Sequence, residues 1–234
     1  MTRLRMRLLL LAGAAFLSTA CDLLEDPVYP VRFPSGVDVL EAGSGQEWGA
    51  ELFPSALGDF WLLCPEDRND QGCELRFPDE ESTSLNGITV GIWWVKTTAA
   101  TIQAWVRVTD ETVWDYGGPA GFSSCGLPRL HFPVRTGKRW STGCGPWGNL
   151  EAEAYVEGPD RVRTEVGWID AIRVRYTVER PDMPQGDSGE HVWWFAPGIG
   201  VVKRQDNLGR VLVLRHARVA GTPQTGEPSQ AEGR

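Results

Sequence analysis

The stretch ITVGIWWV, residues 88–95, alternates its residues with a period of two. One set of alternate positions holds Ile88, Val90, Ile92 and Trp94, and the other holds Thr89, Gly91, Trp93 and Val95. Because successive side chains of a strand point to opposite faces, this pattern predicts a β-strand. The neighbours Trp93 and Trp94 then lie on opposite faces of a sheet.

The same alternation recurs along the chain after this stretch. It is found at residues 101–108, 150–157, 172–179, 191–205 and 210–219. No segment of about ten residues beyond the N-terminal twenty has convincing helical periodicity. The sequence therefore predicts an all-β fold, with an antiparallel, curved sheet arranged as a sandwich or a half-barrel.

A short phrase occurs twice, as FPSALGDFW at residues 53–61 and FPVRTGKRW at residues 132–140. In each copy the Pro removes a backbone donor, the Gly permits a turn, and the Trp opens the next strand. Two copies predict two related β-meanders in a β domain over 51–219, with halves of 51–125 and 126–219. The four positions that match between the copies, Phe, Pro, Gly and Trp, can also arise by convergence.

Residues 1–20 have the form of an export signal. Three arginines precede an apolar run that is too short to span a bilayer: Arg3, Arg5 and Arg7, followed by Leu8 to Leu17. The next residues, Ser18-Thr19-Ala20-Cys21, resemble the lipobox of bacterial lipoproteins, which implies cleavage before Cys21 and acylation of its thiol. Cleavage at the same bond by an ordinary signal peptidase is the alternative.

An acylated N-terminus predicts a lipoprotein of the bacterial cell envelope that faces the periplasm or the exterior. More than one acyl chain gives stable attachment, since each buried methylene contributes about 0.8 kcal/mol. Residues 21–50 are rich in Pro, Gly and acid and are predicted to be a tether. Residues 220–234 cannot bury apolar surface and are predicted to be a disordered tail.

The charge of the chain excludes some partners. The formal net charge is −8, and loss of the three leader arginines brings it to about −11. A strongly acidic protein is a poor partner for nucleic acid or for anionic lipid, so the anchor is the expected contact with the membrane. A glycan, a peptide or a lipid of the envelope is the expected class of ligand.

The chain has five cysteines, and acylation of Cys21 leaves an even set, as expected in an oxidising compartment. Of the three pairings, we favour Cys64 with Cys73 and Cys125 with Cys144, because short loops close most easily. A zinc site is the alternative explanation for the four remaining cysteines. There is no Cys-x-x-Cys pair and the three His are far apart in sequence, so no metal and no cofactor is predicted.

The tryptophans supply the candidate ligand contacts, Trp93, Trp105 and Trp193. Paired Trp residues on a strand require either a sheet covered on both faces or some exposed indoles. The first arrangement is purely structural. The second forms an aromatic surface that accepts a ligand.

The sequence GDSG, residues 186–189, resembles the nucleophile loop of chymotrypsin-like proteases. It lies between predicted strands, has no His in the expected upstream context, and is typical of a turn. We therefore predict no catalytic residues and no enzyme. The preferred function is a lipid-anchored binding or structural module. A carrier of lipids or lipoproteins with a half-barrel cavity is the alternative, and an enzyme comes third.

A family resemblance rests on three phrases, LHFPVRTGKRW, GWIDAIRVRYTV and VWWFAPGIGVVKR, within residues 130–220. This succession is similar to that of uncharacterised bacterial envelope proteins of the TapB-like and related domain-of-unknown-function type. The pair Trp168-Ile169 departs from the usual Gly-Thr or Gly-Glu. The resemblance implies a curved, mainly antiparallel sheet and supplies no catalytic residues.

Overall fold

The computed structural model describes residues 37–67, 72–85, 87–117, 126–143, 151–179 and 188–220. All of them belong to one compact unit, Arg32–Arg234. The strands that run through them are β1 (Asp38–Trp48), β2 (Phe60–Pro65), β3 (Glu74–Leu85), β4 (Ile88–Thr97), β5 (Thr101–Val108), β6 (Thr112–Asp115), β7 (Leu127–His131), β8 (Val134–Gly143), β9 (Glu151–Thr164), β10 (Gly167–Glu179), β11 (Gly189–Ala196), β12 (Gly200–Gln205) and β13 (Val211–Arg218). A short 3₁₀ turn, Ala50–Leu52, precedes β2.

The strands form one curved antiparallel sheet that does not close, which confirms the predicted fold class. Its order is β1-β8-β9-β10-β11-β12-β13-β2-β3-β4-β5-β6-β7. The order contains two meanders of consecutive strands, β2 to β7 and β8 to β13, and β13 pairs with β2 to join them. The break between the meanders lies between His131 and Val134, a few residues after the predicted boundary at 125.

Side chains bridge the two ends of the open sheet. Trp140 of β8 donates its indole N–H to the carbonyl of Pro128 in β7, at 3.0 Å. Tyr176 of β10 donates its hydroxyl to the carbonyl of Arg129, also in β7. Since β7 is the last strand of the sheet and β8 the second, these bonds cross from one end of the sheet to the other. These side-chain hydrogen bonds therefore hold the sheet curved where β7 and β8 form no backbone ladder.

The two Phe-Pro phrases begin the two meanders. Their glycines, Gly58 and Gly137, both have positive φ, at 89° and 79°, a conformation that side chains rarely adopt. The first phrase runs into β2 and places Trp61 near the start of that strand, as predicted. In the second phrase the strand begins directly after Pro133, so Trp140 lies inside β8 rather than at its start.

The expected tether at residues 21–50 is wrong for its last part, because Asp38–Trp48 form β1 and pair with β8. Trp48 is the only buried residue of this strand, so its side chains carry no apolar alternation. Gly43 and Gly45, both with positive φ, interrupt the pattern further. The backbone ladder that holds β1 does not need such a pattern. Residues 21–36 and 221–234 lie outside the described residues.

Cys64 and Cys73 are joined by a disulfide, as the favoured pairing predicts. Cys125, Cys144 and Cys21 lie outside the described residues. In the parts of the chain that the structure describes, no cluster of His, Cys, Asp and Glu could hold a metal ion. Within the same parts there is also no helix that is both long and apolar enough to cross a bilayer.

Candidate functional site

A cavity of about 50 Å³ lies within the curve of the sheet. Its walls come from the segment before β2 and from β2 to β7, β11 and β12. The apolar lining consists of Phe53, Pro54, Trp61, Trp93, Val95, Ala104, Val106, Val113, Trp193, Gly200 and Val201, and the charged lining consists of Arg76, Asp115 and Arg129. The cavity therefore combines an apolar wall with a small set of charges, the usual composition of a ligand site.

The apolar wall is built around Trp93. The ring of Trp61 stacks on it with centroids 5.6 Å apart, and the ring of Phe53 lies 5.3 Å away. Trp61 donates its indole N–H to the carbonyl of Ile199, which satisfies the one polar atom of that side chain. The three rings come from separate segments of the chain and are fixed by their mutual contacts.

The charged wall is built around Trp193. The guanidinium of Arg129 lies over this indole at 4.5 Å from the ring centroid, within the range of a cation–π contact. Asp115 orients Arg129 by accepting hydrogen bonds from Nε at 3.2 Å and from Nη2 at 3.0 Å. Burial by itself raises the pKa of the Asp115 carboxyl, but Arg129, the N–H of Gly117 and Arg76 outweigh it and hold that pKa below its ordinary range.

A second carboxylate, Glu74, lies beside this wall and is almost completely buried. It accepts hydrogen bonds from Arg76 at 3.2 Å, from Arg210 at 2.7 Å and from Arg204. Burial raises the pKa of Glu74, but the three guanidiniums together bring it below the ordinary value of 4.5. Burial, opposed by Glu74 and reinforced by the neighbouring arginines, lowers the pKa of Arg204 to about 10. Glu74 is therefore the central anion of a buried ionic cluster.

The structure places two of the three predicted tryptophans in one site. Trp93 and Trp193 both line the cavity, while their neighbours Trp94 and Trp194 donate their indole N–H groups to Asp79 and Asp160. The adjacent tryptophans thus divide between the two faces, as the alternation predicts. Trp105 lies apart from them. It packs against a second cluster formed by Val90, Trp114 and Tyr116, on the opposite face of β5 from Ala104.

The sequence analysis did not identify the charged members of the site. Asp115 shares a strand face with the apolar Val113, so the alternation assigns it to the interior, whereas Arg76 shares a face with the charged Glu74 and has no such signal. A charge in phase with apolar residues was the available signal. This signal is weak on a single strand, because Arg129 and Arg204, the cations that pair with Asp115 and Glu74, come from distant parts of the sequence.

Two further polar residues of the described segments, Lys138 and Ser188, make structural contacts. Lys138 is buried, and burial followed by the charge of Arg135 lowers its pKa to about 8. Its ammonium, however, donates to the carbonyls of His131 at 2.8 Å and Pro133 at 2.7 Å. These bonds fix the turn that leads from β7 into β8. The backbone carbonyl of Ser188 accepts a hydrogen bond from the Asn207 side chain at 2.7 Å, as expected for a loop.

No protein-family model and no curated protein sequence matches this chain. The resemblance to TapB-like envelope proteins therefore stays a prediction.

Two solved structures are similar to the chain in part. One is a protein of Bacteroides fragilis described as exported and of YmcC-like fold, with 14% identity and a TM-score of 0.41. The other is a protein of Parabacteroides distasonis described as a lipoprotein, with 14% identity and a TM-score of 0.36. Each alignment covers 71% of this chain and 98% of the other. Neither score is high enough to establish a common fold.

Proposed function

We propose that the protein is a lipid-anchored binding module of the bacterial envelope that holds a small ligand in the cavity of its curved sheet. The observation that carries the proposal is the convergence of Phe53, Trp61, Trp93 and Trp193 on a space that no side chain fills. Protein interiors are close-packed, so an unfilled space with aromatic walls and oriented charges is typical of a binding site. The roles of Trp93 and Trp193 as ligand contacts are part of this proposal.

The size of the cavity argues for a small ligand rather than a lipid cargo. A volume of about 50 Å³ is far below the roughly 300–1,000 Å³ of sites that enclose drug-sized molecules. A carrier of lipids or lipoproteins with a half-barrel cavity needs space for at least one whole acyl chain. This aromatic cavity therefore favours the binding module over the carrier.

The substitution Ala104→Leu tests the cavity as the site. Ala104 lines it from β5, so a leucine there occupies the space a ligand would use. We expect small probes with apolar groups, namely 1-hexanol, hexanoate and hexylamine, to change the tryptophan emission of the wild type. In the variant, the affinity of the probes that bind is expected to fall at least about tenfold, while the unfolding free energy changes by less than about 1 kcal/mol.

Thr101→Leu is the matched control, because it adds a leucine at an exposed position of the same strand. It should leave probe affinity unchanged. If no probe alters the emission of the wild type, or if both variants respond alike, the cavity is not the site and the proposed function is wrong.

The anchor rests on the lipobox resemblance and on the even number of remaining cysteines. We expect mass spectrometry of the native protein to find acyl chains on an N-terminal Cys21, with residues 1–20 removed. The variant Cys21→Ala is expected to wash off membranes, because it lacks the thiol that receives the chains. Cys73→Ala, which removes a disulfide cysteine instead, should stay membrane-bound. A soluble wild type that begins at an unmodified Cys21 would establish ordinary secretion instead.

A further inference from the structure

Three guanidiniums surround the indole of Trp193, the residue that separates the apolar and the charged parts of the cavity. Their carbon atoms lie 4.5 Å (Arg129), 5.4 Å (Arg76) and 5.9 Å (Arg204) from the ring centroid. Like charges held this close repel one another in a region of low dielectric. Such an arrangement needs compensating negative charge.

The carboxylates of the described residues compensate this charge incompletely. Arg76, Arg129, Arg204 and Arg210 form ion pairs with Glu74, Asp115 and Asp206. Four cations thus share three anions in the part of the chain that the structure describes. Among the same residues, the buried Nε of Arg204 has no hydrogen-bond partner. A buried unpaired donor on a charged group is unfavourable, so the carboxylates leave this cluster of arginines incompletely satisfied.

The surplus charge and the apolar wall border the same space. Arg76 and Arg129 line the cavity together with Phe53, Trp61 and Trp93. Guanidiniums bind carboxylates and phosphates through paired N–H donors, whereas aromatic walls bind apolar groups. A ligand that uses both walls carries an anionic group at one end and a short apolar group at the other.

We propose that the cavity binds a small organic anion, a carboxylate or a phosphate monoester, with its charged group beside Arg76 and Arg129 and its apolar group against Trp61 and Trp93. This inference rests on the proposed function and adds the charge and chemical class of the ligand. The small volume limits the enclosed apolar part to a short chain or a single ring.

The experiment compares four probes that share one apolar group: hexanoate, hexyl phosphate, 1-hexanol and hexylamine. Their affinities for the full wild-type chain are measured by titration of tryptophan fluorescence and by calorimetry. We expect at least one of the two anions to bind about tenfold or more tightly than 1-hexanol, and hexylamine to bind most weakly. Comparison of hexanoate with hexyl phosphate identifies which anionic group the site prefers. Added salt should weaken the binding of the two anions and leave the binding of 1-hexanol unaffected.

Two substitutions assign the preference to the cavity. Arg76→Gln removes a guanidinium that lines it, whereas Arg210→Gln removes one that pairs with the same Glu74 but lies outside the lining. Glu74 keeps two arginine partners in either variant, so both are expected to fold. Anion affinity should fall about tenfold in Arg76→Gln and stay within about twofold in Arg210→Gln, while the affinity for 1-hexanol stays constant in both.

The outcomes separate this inference from the proposed function. Equal binding of anions and 1-hexanol, both lost in Ala104→Leu, would overturn the charge assignment and leave the binding module intact. Tighter binding of hexylamine, or equal losses in the two arginine variants, would also overturn it. Since the comparison of probes uses the wild type alone, the inference can fail even if Arg76→Gln does not fold.

Discussion

Replacing Glu74 with glutamine is expected to lower the free energy of unfolding by about 3–5 kcal/mol, the usual cost of removing one partner from a buried ion pair. The Glu74 side chain is only 7% exposed and contacts Arg76, Arg204 and Arg210. Glutamine retains the shape and one acceptor oxygen but not the charge. The three arginines would then repel one another with no central anion between them.

Denaturant unfolding of wild type and Glu74→Gln at neutral pH measures this cost, with Glu41→Gln as the control. Glu41 pairs with Arg139 at 3.3 Å, but its side chain is 55% exposed, so its loss should cost no more than about 1 kcal/mol. A cost for Glu74→Gln as small as that of the control would mean that the buried cluster contributes little to stability.

The stability of Glu74→Gln is also expected to depend on pH differently from that of the wild type. The pKa of Glu74 is lower in the folded chain than its ordinary value of 4.5, so its contribution to stability is complete above pH 4.5. That contribution is lost as the pH falls through the folded pKa. Glu74→Gln has no such group, so its stability should fall less steeply below pH 4.5 than that of the wild type. Asp115, whose pKa is also lowered, produces the same acid sensitivity in both proteins.

Trp140→Ala is the second substitution with a large expected effect, a loss of about 3–5 kcal/mol. Trp140 is fully buried in the main core, and its indole N–H donates to the carbonyl of Pro128. Alanine leaves a cavity and removes a bridge between β8 and β7. Both ends of the open sheet lose packing together.

The control for this variant is Trp168→Ala, because Trp168 is 61% exposed and its removal should change stability by less than about 0.5 kcal/mol. Trp140→Phe separates the two contributions, since it retains a ring but no donor. We expect it to fall between wild type and Trp140→Ala. A loss of less than about 1 kcal/mol for Trp140→Ala would show that the ends of the sheet do not depend on this side chain.

The sequence predicted the strands with apolar alternation, such as β4, β5, β10 and β13, because burial of one face imposes a period of two. It missed β1, whose side chains are mostly exposed. A strand at the edge of a sheet is held by backbone bonds that leave no trace in the residue pattern.

The site was predictable only in part, for a similar physical reason. Local alternation correctly separates Trp93 from Trp94, but it cannot tell which face is concave. The inclusion of Trp193 and exclusion of Trp105 depend on the order of the strands. The contact of Arg204 with Glu74 joins residues 130 positions apart, and no short-range pattern encodes it.

The position of β13 has a consequence for how the chain folds. Among the described residues, β13 is the last strand along the chain but the seventh of thirteen in the sheet, where it pairs with β2, one of the earliest. A chain that emerges from its N-terminus onward therefore cannot join its two meanders until almost all of it is free. Contacts between such distant residues make folding slow, so β2 presents an unpaired edge to other chains for most of that time.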